Sequence, residues 1–158
     1  MRYSTSLLLG FLACAPRKTV TPPADTTPAV TLERTACFGS CPVYRVSIFP
    51  SGQVTYEGKA HVRRTGSANG KIEKRQLDAL LEEIDRSGYF SFAPRYTSGE
   101  PACGRYATDA PSVITSVTLN GRTHRVEHDY GCGSVPGALV VLEQRIDQAV
   151  GTTQWTGK

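Results

Sequence analysis

The sequence predicts an α+β fold in which two β-hairpins form an antiparallel sheet and a helix after each hairpin packs on one face. Two observations predict this fold. Apolar and polar residues alternate in residues 43–50 and again in residues 113–119, as in half-buried strands. Each alternating stretch is followed by a segment whose apolar residues are spaced three and four apart, as in amphipathic helices. The 158 residues suit one domain with an ordinary core.

The N-terminus has the features of an export signal. Arg2 provides a short positive region, and residues 7–12 form an apolar run that is too short to span a bilayer. Phe-Leu-Ala-Cys at residues 11–14 resembles a bacterial lipobox, in which the cysteine accepts diacylglycerol and becomes the new N-terminus. We predict a lipoprotein signal peptide over residues 1–13 and lipid attachment at Cys14, and an ordinary secretory signal is the alternative.

Residues 14–31 read as the lipidated cysteine followed by a tether. Residues 15–31 are rich in Pro, Thr and Ala and have no apolar periodicity, so an extended chain is expected, with a reach on the order of 50 Å. Ala15 follows the lipid cysteine, where an Asp would retain a Gram-negative lipoprotein in the inner membrane. The expected location is therefore the cell envelope, on the periplasmic face of the outer membrane.

The first half of the domain is predicted as a hairpin and a helix. The strand in residues 43–50 turns at Ser51-Gly52 into residues 53–58, and residues 31–35 are a candidate neighbouring strand. The helix spans residues 73–87, with Gly88 suited to its C-terminal cap and an apolar stripe of Leu77, Leu80, Leu81 and Ile84. The opposite sheet face is expected to meet water.

The second half repeats this order. Asn120-Gly121 is a strong hairpin turn signal between residues 113–119 and 122–128. A helix over residues 136–150 follows, with Ser134 as its N-cap. The repeated order hints at internal duplication. The domain is placed at residues 32–150, with residues 151–158 as a tail and residues 89–111 as a long loop that contains several aromatic residues.

The cysteine count supports an exported protein. The chain has five cysteines, and assigning Cys14 to lipid leaves Cys37, Cys41, Cys103 and Cys132, an even set suited to disulfides in an oxidising compartment. Three connectivities are open. The local Cys37–Cys41 pair is preferred, because strand geometry leaves these residues little room for other partners. The remaining pair would tie the long loop to the turn before the last helix.

Charge and motifs narrow the function without identifying it. The formal charge of +4 falls to +3 when Arg2 leaves with the signal, which is too small to indicate nucleic-acid binding. Basic residues crowd one stretch that holds a Gly/Ser/Asn-rich turn, either a solvated loop or a docking patch for anionic lipid or polymer: Lys59, Arg63, Arg64, Lys71, Lys74 and Arg75. GxSxG, Walker A, HExxH and EF-hand patterns do not occur in the sequence.

These observations favour a non-enzymatic binding module that contacts an envelope protein or polysaccharide, with no catalytic residue, metal ligand or cofactor predicted. The candidate binding residues are Arg63, Arg64, Tyr96 and Tyr106. The alternative is a copper, zinc or redox protein that uses Cys37 and Cys41, since thiolates suit such metals. The Cys37-x-x-x-Cys41-Pro42 context argues against it, because Pro42 leads into a strand and not into a helix.

Residues 37–44, Cys-Phe-Gly-Ser-Cys-Pro-Val-Tyr, and residues 52–58, Gly-Gln-Val-Thr-Tyr-Glu-Gly, resemble domain-of-unknown-function family 6438, found in bacterial secreted proteins and lipoproteins. The resemblance covers most of residues 32–150. Because this family has no established activity, the resemblance implies an exported domain and no particular reaction, ligand or partner.

Overall fold

A computed structural model describes residues 26–157, which fold around one sheet. The strands are β1 (Val30–Arg34), β2 (Val43–Ile48), β3 (Gln53–Ala60), β4 (Gly66–Lys71), β5 (Arg95–Tyr96), β6 (Ser112–Leu119) and β7 (Arg122–Asp129). The helices are α1 (Lys74–Arg86), α2 (Gly137–Val150) and α3 (Thr153–Thr156). The predicted signal peptide, Cys14 and residues 15–25 of the tether lie outside the described residues.

The α+β prediction is confirmed, and the sheet is almost entirely antiparallel. The strand order is β4-β3-β2-β1-β6-β7-β5, and only the short edge strand β5 pairs in parallel, with β7. β1 pairs with both β2 and β6, so one central strand joins the two predicted hairpins into a single sheet. β4 extends the first hairpin and β5 extends the second, so the two halves differ and an internal duplication is not confirmed.

One face of the sheet packs against helices, as strand alternation requires. Val46, Val54 and Val126 are buried on this face, and Leu80 of α1 and Leu142 of α2 pack in the same core. The other face is polar and carries residues such as Arg45, Thr55 and Arg125. The predicted apolar stripe of α1 lies in or against the core, and α2 contributes an apolar stripe of its own, made of Leu139, Leu142, Ile146 and Val150. None of the helices in residues 26–157 has the length and apolarity to cross a membrane.

The helix ends match the prediction for α1 and differ for α2. Glu73 and Gln76 form a capping box at the start of α1, and Gly88 follows the helix with a left-handed φ of 78°. The N-cap of α2 is Pro136, so the assignment of Ser134 as the cap is wrong. The backbone N–H of Ser134 instead donates to the carbonyl oxygen of Cys103, at 3.0 Å, which holds Ser134 in the preceding loop.

Two elements that the sequence pattern did not indicate pack on each other. Residues 66–71, expected to form a turn, make β4, and residues 153–156, expected to lie in a tail, make α3. Trp155 of α3 is buried, stacks on Tyr56 with ring centroids 4.7 Å apart, and lies over Gly70. A Cβ at Gly70 would come within 3.0 Å of the indole, so the small residues of β4 make room for Trp155.

The loop over residues 89–111 is more ordered than the sequence predicted. It contains a 3-10 turn at Tyr89–Ser91, strand β5 and a second 3-10 turn at Pro101–Cys103. Tyr89 is fully buried, and its hydroxyl forms a 2.8 Å hydrogen bond with the hydroxyl of Thr115. The loop therefore belongs to the core along part of its length.

The two ends of the sheet are built differently. We call the end with the β2–β3 and β6–β7 turns the turn end; the chain also enters β1 there, because Ala29 hydrogen-bonds to Ile48 and Thr118. We call the opposite end the disulfide end. It holds the β1–β2 loop with Cys37 and Cys41 and the loops joined by Cys103 and Cys132. Both pairs lie at disulfide distance, with Cα atoms 5.7 and 4.7 Å apart, as preferred from the sequence.

Candidate functional site

Two acidic side chains on the buried face of α2 define the site. Glu143 and Asp147 are one turn apart, among the apolar residues Leu139, Leu142 and Ile146. Glu143 is only 1% exposed. Buried carboxylates are costly unless they are paired and hydrogen-bonded, so their partners determine what this face of the domain can do.

Asp147 is paired with Arg34 and Tyr44, which come from the last residue of β1 and from β2. Oδ2 of Asp147 accepts from Nε of Arg34 at 2.8 Å and lies 2.7 Å from Nη2. Oδ1 accepts from the Tyr44 hydroxyl at 2.6 Å, and Nε of Arg34 also donates to that hydroxyl oxygen at 3.1 Å. Arg34 offsets a carboxylate placed in the last turn of α2, where the helix dipole disfavours negative charge.

Glu143 is paired with His128 and Tyr130, at and just after the end of β7. Its Oε1 lies 2.8 Å from Nδ1 of His128, and its Oε2 accepts from the Tyr130 hydroxyl at 2.9 Å. The imidazole and phenol rings stack, with centroids 4.5 Å apart. Tyr130 and Arg34 also interact electrostatically, so this group adjoins the Asp147 group. We call these six side chains the polar network.

The pKa values of several network residues are shifted in directions that preserve the hydrogen bonds and the ion pair. Burial raises the pKa of Tyr44 well above its usual value, and the neighbouring Asp147 carboxylate adds to the shift. Burial also raises the pKa of Tyr130, with a further contribution from Glu143. Burial alone would lower the pKa of Arg34, but its interactions with Asp147, Tyr44 and Tyr130 together outweigh that effect and raise the pKa overall. Both phenols therefore remain hydrogen-bond donors at neutral pH.

The second nitrogen of His128 faces outward from the network. Nδ1 is held by Glu143, and Nε2 has no hydrogen bond with any residue in the described range. Among residues 26–157, no side-chain nitrogen or oxygen is both fully buried and unpartnered, so Nε2 borders solvent although His128 is only 3% exposed. The glutamate thus fixes the orientation of the imidazole ring.

A pocket of about 650 Å³ opens beside the Arg34–Asp147–Tyr44 group. This volume falls within the ~300–1,000 Å³ typical of small-molecule sites. Its lining comes from residues on both sides of the β1–β2 connection, from the second half of α2, and from the α2–α3 connection and α3: Arg34, Pro42, Tyr44, Gln144, Asp147, Gln148, Gly151, Thr152, Thr153 and Thr156. The Cys37–Cys41 loop adjoins the pocket, because Pro42 follows Cys41 directly.

Exposed aromatic side chains also gather at the disulfide end. Phe38, in the tip of the Cys37–Cys41 loop, is 89% exposed, Tyr106 is 41% exposed and Tyr130 is 38% exposed. The Phe38 amide donates to the carbonyl oxygen of Asp109 at 3.0 Å, and the Tyr106 hydroxyl donates to Asp129. These aromatic residues are therefore presented on loops with fixed backbones.

The structure brings three of the four candidate binding residues to this end. Arg63 and Arg64 are exposed in the β3–β4 connection, and their amides donate to the carbonyl oxygens of Thr156 and Trp155. Tyr106 is exposed at the same end. Tyr96 is different, because it is 5% exposed and its hydroxyl accepts from the Ala93 amide at 3.1 Å. Tyr96 therefore lies in the core and is not part of the exposed surface at this end.

The basic stretch noted in the sequence does not form one patch. β4 separates its members, so Arg63 and Arg64 lie at the disulfide end and Lys71 lies at the turn end, opposite Gln53. Lys59 pairs with Glu33, with 3.0 Å between nitrogen and oxygen. The six basic residues therefore do not form one docking patch, and Arg63 and Arg64 are the members exposed in the β3–β4 connection.

Neither Cys37 nor Cys41 is placed in a group of metal-ligating side chains. The described residues contain no cluster of three or more His, Cys, Asp or Glu side chains that could hold a metal ion. His124 and His128 both lie on β7, as the strand prediction required, and Nε2 of His124 contacts the carbonyl oxygen of Phe92 at 3.0 Å.

The sequence reasoning missed the polar network, although the sequence contained two signals for it. Arg34 continues the inward alternation of Val30 and Leu32, and Glu143 and Asp147 fall inside the apolar stripe of α2. Charged residues at positions expected to be buried indicate paired groups. Which charges pair could not be read from one sequence, because the partners are 15 and 113 residues apart.

Comparison with known proteins identifies the family of the chain. The family described as "Domain of unknown function (DUF6438)" matches residues 28–150, which include the whole network and most of the pocket. No curated protein matches the sequence.

Proposed function

The chain belongs to the DUF6438 family, and on that premise we propose that it is a non-enzymatic binding module of the bacterial cell envelope. In this proposal a lipid on Cys14 anchors the chain to the outer membrane, and the disulfide end of the domain contacts an envelope component. The observation that carries the proposal is the gathering of Phe38, Tyr106 and Tyr130, with Arg63 and Arg64, at that end.

The position of the tether supports this assignment. The chain enters β1 at the turn end, and β1 runs to Arg34 at the disulfide end. A membrane anchor on residue 14 would therefore attach to the end that is opposite the exposed aromatic residues. The extended tether, with a reach on the order of 50 Å, would allow the disulfide end to meet a partner away from the membrane surface.

The chemistry of the disulfide end fits a contact surface. Aromatic and arginine side chains carry much of the binding energy in protein interfaces. Phe38 lies in a loop closed by Cys37 and Cys41. Such a loop loses little conformational entropy on binding, because its backbone is already fixed.

A capture experiment tests the contact surface. The lipid-free domain is immobilised and exposed to envelope extract, with Phe38→Ser and Arg64→Glu as variants and Gln53→Ala at the turn end as the control. We expect both variants to lose most of the captured material and the control to retain it. Equal capture by all four proteins would contradict the proposed surface.

Intact-mass analysis of the native protein tests the anchor and the metal or redox alternative together. The proposal predicts a chain that begins at Cys14 with added lipid mass, no thiol that reacts with an alkylating reagent, and no bound metal. Free thiols at Cys37 and Cys41 with stoichiometric copper or zinc would support the alternative. An unmodified Cys14 would remove the membrane anchor from the proposal.

A further inference from the structure

The pocket beside Arg34 is lined by one positive and one negative side chain, so the net formal charge of its lining is zero. Among its lining residues, Arg34 and Asp147 carry opposite formal charges, and the others are uncharged at neutral pH. The two charges are already in contact, at 2.7 Å. An anion would have to compete with Asp147 for Arg34, and a cation would have to compete with Arg34 for Asp147. A neutral polar ligand meets neither obstacle.

Two exposed side chains at the edge of the pocket, which we call its rim, have hydrogen-bond donors and acceptors that no group in residues 26–157 occupies. The Gln144 amide and the Thr153 hydroxyl are exposed, and neither side chain has a hydrogen bond with another residue in the range 26–157. Each can donate and accept, as can every hydroxyl of a polyol. The side-chain oxygen of Gln148 accepts a hydrogen bond from Arg145 at 3.1 Å, so its side-chain NH₂ is the group that can donate to a ligand.

The pocket also has apolar surface and a fixed shape. Pro42 forms part of its wall next to the Cys37–Cys41 disulfide, and Gly151 takes a left-handed φ of 68° where α2 ends. The floor is held by the Arg34, Tyr44 and Asp147 hydrogen bonds. Preformed concave sites with a few placed polar groups are the usual form of small-molecule sites.

We propose that this pocket binds a neutral saccharide, so that the envelope component recognised by the module is a glycan. The amide and hydroxyl groups of the rim would bind sugar hydroxyls, and Pro42 would contact the apolar face of a ring. Because this assignment rests on the proposed binding role, its test must separate a wrong ligand class from a wrong function.

The test uses backbone NMR shifts and calorimetry of the disulfide-bonded domain. The neutral probes are cellotetraose, maltotetraose and the β-1,4-linked tetramer of N-acetylglucosamine, and the charged probes are a heparin tetrasaccharide and inorganic phosphate. We expect saturable binding of at least one neutral probe, with shifts in residues 42–44 and 144–156. Binding of charged probes alone, or of none, would overturn the assignment.

Two variants and one control sharpen the result. Gln144→Ala, at an exposed site, should weaken binding of the neutral probe about tenfold, as expected for one lost hydrogen bond. The matched Gln53→Ala control should bind as the unaltered domain does. Asp147→Asn leaves the charge of Arg34 unbalanced and should shift preference toward the heparin probe. Unchanged affinity and preference in both pocket variants would overturn the assignment.

The experiments show separately whether the saccharide assignment is wrong and whether the binding role is wrong. If Phe38→Ser abolishes capture of an envelope protein and no neutral probe binds, the saccharide assignment is wrong and the binding role stands. If neutral probes bind in the pocket and the captured material is glycan, both are supported.

Discussion

The two ends of the sheet use the same strands and differ in how the chain reverses. At the turn end, β6 and β7 are joined by Asn120 and Gly121, both with positive φ, and β2 and β3 are joined by a similarly tight turn that includes Gly52. At the disulfide end, the connections are longer and two disulfides hold them. The disulfide end also contains the network that joins Arg34 to Glu143.

Under the proposed function, this difference separates what folding needs from what binding needs. Short turns with glycine satisfy the chain geometry of a hairpin with few residues. A buried ionic network is not required for stability, because well-packed apolar residues often stabilise a core as much. Its concentration at one end, under the exposed aromatic residues and beside the pocket, fits the binding role proposed for this end.

The largest effect is expected from removing Glu143. Glu143→Ala leaves the buried His128 and the Tyr130 hydroxyl without their acceptor, and should lower the free energy of unfolding by about 3 kcal/mol. Urea unfolding followed by circular dichroism measures this loss. The control is Glu83→Ala, which removes a surface ion pair with Arg145 and should cost less than ~1 kcal/mol. Similar losses in the two variants would contradict the structural importance of the network.

The disulfides should contribute unequally. Replacing Cys103 and Cys132 by Ser opens a loop with a sequence separation of 29 residues, and the chain-entropy relation gives a loss of roughly 3–4 kcal/mol. Replacing Cys37 and Cys41 opens a loop with a separation of 4 residues, and the expected loss is about 2 kcal/mol. Thermal unfolding checks the order. Only the second double variant should impair capture while most of the fold stability is retained, because it frees Phe38.

The two ends of the sheet also differ in how much of their structure could be predicted from the sequence. The turn end was predictable, because Asn120-Gly121 and the strand alternation are local signals. The disulfide end was predictable only in part, since the cysteine pairs followed from counting and local preference. β4 and α3 were missed because residues 66–71 lack β-forming side chains, and Gly70 makes sense only when Trp155 covers it. The network and the pocket depend on contacts between residues far apart in the chain.

Alkaline pH should lower the free energy of unfolding through the raised pKa of Tyr44. Because the pKa of Tyr44 is raised in the folded protein, its contribution is present below the unfolded-state pKa of 10.0 and is lost as pH rises toward the folded value. At pH 11 the loss from one such tyrosine would be about 1.4 kcal/mol. Unfolding free energies between pH 8 and pH 11 should fall less steeply in Tyr44→Phe than in the unaltered protein. Tyr106→Phe, at an exposed site, should leave the slope nearly unchanged.

The smallest effect is expected at the turn end. Gly121 has a φ of 73°, and a Cβ there would meet no atom within 4 Å, so Gly121→Ala costs only backbone strain, about 1 kcal/mol. Denaturant unfolding measures it. Capture of the envelope component should be the same as in the unaltered domain. A loss of capture in this variant would show that the turn end takes part in binding.

The most direct test of the account is site-specific photo-cross-linking in the native envelope. A photoreactive amino acid replaces Phe38 at the disulfide end in one strain and Asn120 at the turn end in another, and both side chains are exposed. The account predicts a discrete cross-linked product from position 38 and none from position 120. A product from position 120 alone, or equal products from both, would contradict the assignment of the disulfide end as the binding surface.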